Sequence, residues 1–91
     1  MRFEWDERKA RSNATKHSVS FDDASTIFAD ALSLTIRDPD HSQVENRFVT
    51  VGRAHRGELL VVVHTERGDN IRLISARPAS RRERRTYEEG Q

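Results

Sequence analysis

Ninety-one residues, 34% of them hydrophobic, suffice for one domain with a thin core and for no second one, because small folds bury a smaller share of their surface than large ones. The absence of cysteine excludes a disulfide framework and a thiolate zinc site. The formal net charge of +1 says little as a total, but residues 1–46 carry nine acidic and six basic side chains, whereas residues 47–91 carry six and ten.

The longest apolar run, Leu59 to Val63, is too short to span a bilayer, and the opening Met1 to Asp6 lacks the basic-then-apolar shape of a secretory leader. One domain over residues 1–91, soluble, cytoplasmic and without membrane association, is the expectation. Fourteen of the sixteen basic residues are arginine, whose planar fork pairs bidentately with phosphate or carboxylate and stacks on bases. An arginine-rich genome would account for the number more readily than for the clustering.

After a short extended start around Phe3 to Trp5, Asp6 caps a polar helix running to about Lys16, with Ala10, Ala14 and His17 along one side. Ser18 to Ser20 breaks it, and Ser20 with Asp23 opens a second helix whose Phe21, Ala24, Ile27 and Phe28 recur at helical spacing. From Leu32 the period becomes extended, with Leu32, Leu34 and Ile36 alternating with polar residues until Asp38-Pro39-Asp40 turns the chain. Strands follow at Arg47 to Arg53, Leu59 to Thr65 and Ile71 to Arg77, joined by turns at Ala54 to Gly57 and Arg67 to Asn70. Pro78 ends the last strand, and Ser80 with Glu83 makes a capping box for a terminal helix to about Glu89. The predicted fold is α+β: two N-terminal helices packed on a four-stranded antiparallel sheet, with a C-terminal helix.

That last helix is incomplete by local physics. Arg81, Arg82, Arg84 and Arg85 crowd its first turns, where the macrodipole is already positive, and the pairs Arg84 with Glu88 and Arg85 with Glu89 have the weaker orientation, worth roughly 0.3 kcal/mol each. Apart from Ala79 and Tyr87 it has no apolar stripe. Either a polyanion or acidic partner completes it, or it is a frayed, solvated end.

Trp5-Asp6, Lys9, Asn13, Lys16-His17 and Val19-Ser20-Phe21 with Ala24 and Phe28 resemble the opening signature of the BrnT toxins. Asp38-Pro39-Asp40-His41 with Glu45 and Arg47, Val63 to Arg67, Ile71 to Arg77, and Arg81 to Arg85 with Tyr87 match that family in order and spacing, over nearly the whole chain. The resemblance implies a RelE-like fold, ribonuclease activity that inhibits translation, and neutralisation by a BrnA-type antitoxin. It also implies an assembly of two toxins with two antitoxins that meets operator DNA only through the antitoxin. No cofactor is implied.

Metal-independent RNA cleavage through the 2′-hydroxyl needs a proton acceptor, cations at the crowded phosphate and a donor for the departing oxygen. His17 and His64 are the candidates for proton transfer, with Lys16, Glu66 and Tyr87 as substitutes. Glu66 shares a strand face with His64 and either orients it or makes a surface contact; His17 equally suits a helix C-terminus. Arg72 and Arg77 lie five apart on one strand, hence on opposite faces unless a bulge intervenes, and Arg77 groups with Arg81 as a phosphate clamp. The catalytic expectation is thus His17, His64, Arg72, Arg77 and Tyr87. Lys16, Arg53, Arg67 and Arg81 are expected to bind RNA, and Arg82, Arg84 and Arg85 the antitoxin. Trp5 is expected in the core and not against a base. His41, His64 and Glu66 have no ligand-like local spacing, so no metal is expected. The competing expectation is a binding module that grips nucleic acid or an acidic peptide without cutting a bond.

Overall fold

The computed structural model describes residues 1–39 and 46–90. The order is β1 (Arg2–Glu4), α1 (Glu7–His17), α2 (Phe21–Ser25) running into a 3-10 turn (Thr26–Ala29), β2 (Leu34–Arg37), β3 (Arg47–Arg53), β4 (Leu59–Arg67), β5 (Asn70–Pro78) and α3 (Arg81–Glu89). The turn predicted at Asp38-Pro39-Asp40 and the candidates His41 and Glu45 lie wholly or partly outside the described residues.

The expected two N-terminal helices on a four-stranded antiparallel sheet with a C-terminal helix, the RelE-like arrangement, are overturned. The chain opens on a strand, and the sheet has five strands in the order β1-β5-β4-β3-β2. It is mixed, because β1 pairs parallel with β5, Phe3 opposite Ile71, while the other three pairs are antiparallel. A three-residue strand has too little alternation to announce itself, and its partner lies at the other end of the chain. The second helix is also shorter than its stripe: one α-turn holds Phe21 and Ala24, and the 3-10 turn delivers Ile27 to the core.

Local capping sets the helix starts. Asp6 accepts from the backbone N–H of Arg8 at 2.8 Å and of Lys9 at 3.4 Å, and Ser20 accepts from that of Asp23 at 3.0 Å. Ser18, at φ 58°, ends α1 in the left-handed region.

Alternation along β4 divides the sheet. Leu60 and Val62 face α1 and α2, where they join Val19, Phe21, Ala24, Ile27, Leu73 and Ala76, with Phe3, Trp5 and Phe28 packed alongside. Trp5 meets Phe21 edge-on at 5.8 Å, so it serves the core as expected. Gly52 admits the 3-10 turn, since a Cβ there would lie 3.0 Å from that of Ile27.

β1 covers β5 only from Asn70 to Arg72. Beyond it, buried Asn13 finishes the edge like a strand: its Oδ1 accepts from Ala76 N–H at 3.0 Å and its Nδ2 donates to Ala76 C=O at 2.8 Å. Nδ2 also donates to Val19 C=O at 3.0 Å, tying α1, its exit loop and β5 together.

Candidate functional site

The register of β5 on β4 slips by one residue, from Val63 opposite Ser75 to His64 opposite Leu73, which leaves Ile74 as the extra residue of a β-bulge. Arg72 therefore pairs with Thr65 and Arg77 with Val61, two residues on the same side of β4. The bulge that separates the two arginines brings them to one face, the face turned away from α1 and α2.

At one end of this face Glu4 lies 3.4 Å from Arg67 and 3.8 Å from Arg72. Arg67, Arg72, Asn46, Thr65 and Glu66 line a hollow of about 320 Å³. At the other end α3 crosses. Arg77 spends both terminal nitrogens on Glu83, each at 2.7 Å, and Glu83 also accepts from Ser80 N–H at 2.8 Å within the predicted capping box. The Arg77 fork holds the Glu83 carboxyl down to about 2, Ser80 adding to the effect, while Glu83 in turn raises Arg77. Arg77 thus docks α3, its fork taken up by Glu83.

Tyr87 anchors the same helix. It is 5% exposed and donates to Asp30 at 2.7 Å, beneath the Arg53 guanidinium 5.6 Å from its ring centre. The bond to Asp30 raises the Tyr87 phenol. Burial pushes Asp30 upward, but donors from Arg53 N–H, Tyr87 and Leu32 N–H outweigh it and leave its carboxyl low. Arg53 donates from Nη1 to Gly57 C=O at 2.8 Å, closing its own turn. No acid among the described residues pairs with Arg81, Arg82, Arg84 or Arg85, all exposed.

The two histidine candidates part company. His64 is 3% exposed, stacked on Phe48 and edge-on to Phe28, and burial pushes it down to about 4. Its Nε2 is 2.8 Å from Thr50 Oγ1, itself 2.7 Å from Thr35 Oγ1, and its Nδ1 has no partner among the described residues, so Glu66 does not orient it. As placed, His64 is a buried core residue whose neutral form is favoured. His17, half-buried, lines a cleft of about 270 Å³ with Lys9, Ser12, Lys16, Ile74 and Ser75. This cleft opens on the bulge itself, beside the edge that Asn13 closes. The sequence motif that contains Lys9, Asn13, Lys16 and His17 carried the signal, but only the bulge reveals where those residues meet β5.

The remaining histidine in view, His55, is 3.2 Å from Asp23. Among the described residues no three His, Asp or Glu side chains gather as a metal site, and no helix is long and apolar enough to cross a membrane.

A family model described as ribonuclease toxin, BrnT, of type II toxin–antitoxin system matches residues 5–83. The crystal structure of the Brucella abortus ribonuclease toxin BrnT is similar in fold, with a TM-score of 0.70 and 23% identity over 89% of this chain and 99% of that one. No curated protein sequence matches significantly.

Proposed function

This chain belongs to the BrnT family of ribonuclease toxins of type II toxin–antitoxin systems, and from that premise we propose that it cleaves RNA without a metal at the β5 bulge. The observation that carries the proposal is the convergence on Ile74 and Ser75: the cleft of Lys9, Lys16 and His17 opens there, and Arg72 flanks the bulge on the open face with Arg67 beside it. A strand of RNA following this edge meets guanidinium and ammonium groups in succession, which is what its phosphates require.

In this reading Lys16, Arg67 and Arg72 hold phosphates, and His17 accepts the 2′-hydroxyl proton. The 2′-oxygen then attacks phosphorus, the bond to the 5′-oxygen breaks, and that oxygen takes a proton from water, to which His17 returns its own, leaving a 2′,3′-cyclic phosphate and a 5′-hydroxyl. The lysine and arginines offset the charge that builds on the phosphoryl oxygens. Unrestrained, such cleavage in the cytoplasm inhibits translation. A BrnA-type antitoxin, two copies with two of the toxin, silences it and alone touches operator DNA.

One observation favours the non-catalytic alternative: His64, Arg77 and Tyr87 are all committed to packing, so the supply of acid–base groups is thin. Incubation of the purified protein with RNA and excess chelator separates the readings. Cleavage that persists with chelator and falls on the order of 100-fold in His17→Ala supports the proposal. Binding without cleavage supports the alternative, and full activity in His17→Ala removes that residue from the mechanism.

A further inference from the structure

An apolar sheet face needs a second layer, and α3 is poorly made to supply one. Of its nine residues only Tyr87 is buried, and Glu83 points to Arg77. Between α3 and the sheet runs a groove of about 490 Å³. Its floor is Leu34, Ile36, Val49 and Val51, which the β2–β3 register sets as the adjacent pairs Leu34 with Val51 and Ile36 with Val49. Nothing among the described residues fills it: Ile36 is 62% exposed, and Leu32, just ahead of β2, is 54% exposed. One wall is α3 itself, where Arg82 lines the groove beside Glu83 and Thr86, and among the described residues neither Arg82 nor the three other arginines of the helix has an acidic partner.

The geometry points to one occupant: an amphipathic segment of the antitoxin, whose apolar side chains enter the groove between α3 and strands β2 and β3 while acidic side chains on its flank pair with Arg82 and its neighbours. Two independent deficits make this case. The floor lacks an apolar cover, and Arg82 on the wall lacks an acidic partner among the described residues, the one wall carboxylate, Glu83, being taken up by Arg77, so a ligand that corrects both gains burial of the Ile36 and Leu34 side chains together with charge-assisted hydrogen bonds to guanidinium. Nucleic acid would satisfy the wall and leave the floor wet, and an apolar peptide without acids would do the reverse. The groove lies on the same sheet face as Arg72. The inference rests on the toxin reading for its partner and not on catalysis.

The test is calorimetric titration of the full chain with the purified protein encoded by the adjacent reading frame. Ile36→Glu places a like charge against the acidic segment and is expected to weaken binding by roughly 30-fold or more, as loss of a central anchor does. Ile36→Lys removes the same apolar contact but offers a cation, and is expected to lose less. Arg82→Glu, on an exposed helix surface, weakens binding as well and serves as the second variant should substitutions at Ile36 disturb the edge strand. RNA cleavage by Ile36→Glu stays at the unmutated level. Unchanged affinity in Ile36→Glu and Arg82→Glu overturns the inference. So does equal weakening by Glu and Lys at position 36, because the occupant is then not acidic. Loss of self-association in Ile36→Glu with antitoxin affinity intact also overturns it, in favour of a second copy of this chain. If the affinity pattern holds and no preparation cleaves RNA, the ribonuclease proposal fails while the docking surface stands.

Discussion

His64 illustrates how a residue's neighbours decide its chemistry. On a bare strand it is an imidazole that titrates near neutral pH; between Phe28 and Phe48, with one nitrogen on Thr50 and the other without a partner among the described residues, it stays neutral down to about 4. Its folded-state value is below its unfolded value of 6.5, so the unfolded chain binds the extra proton. The resulting stability is complete above pH 6.5 and is lost as pH falls toward 4, by about 3 kcal/mol at most. Urea unfolding at several pH values should show this decline in the unmutated protein and a flatter profile in His64→Phe, where Thr50 keeps Thr35 as partner. An identical slope in both proteins would place the proton elsewhere.

At the scale of an element, α3 is held to the sheet by two polar anchors more than by apolar contact. Glu83 caps the helix through Ser80 and receives the Arg77 fork, and Tyr87 reaches Asp30. Losing a cap costs about 1 kcal/mol and a charge-assisted hydrogen bond about 1.5–3 kcal/mol. Glu83→Ala should therefore destabilise the protein by about 2 kcal/mol, partial exposure of the pair reducing the upper figure. A double-mutant cycle with Arg77→Ala should show the two losses to be far from additive. The Glu83 contribution, present above the ordinary carboxylate range, is lost as pH falls from 4.5 toward 2, below most of the His64 window. Additive losses in the cycle would mean that the fork contributes nothing beyond its separate halves.

For the whole molecule, one sheet face carries Arg72 on β5 and the apolar groove over β2 and β3, and the cleft of Lys9, Lys16 and His17 opens on β5 from α1. If RNA phosphates track the bulge, affinity for single-stranded RNA falls with salt, and each phosphate contact removed lowers the logarithmic slope by about 0.7. Fluorescence titrations between low and moderate salt should show this decrement in Lys16→Ala and in Arg72→Ala. Arg56→Ala, whose guanidinium lies 3.9 Å from Asp23, should leave the slope as it was. A slope equal in all four proteins would move the track elsewhere.

Sequence by itself determined what depends on near neighbours in the chain. The caps Asp6, Ser20 and Ser80, strand β3 to the residue, the terminal helix and the core role of Trp5 were legible because propensity, capping and periodicity act over a few residues. The family was legible too, through the order of short motifs along the chain. Tertiary structure alone decided that β1 joins β5 in parallel, that Asn13 serves as the missing strand, and that a single extra residue turns Arg72 and Arg77 to one face. It also separated His17 in its cleft from His64 in the core, residues that carry the same side chain and differ in what surrounds it. The reason is the same throughout: pairing, parity after a bulge and desolvation arise from residues far apart in sequence, and no local window contains both members of such a contact.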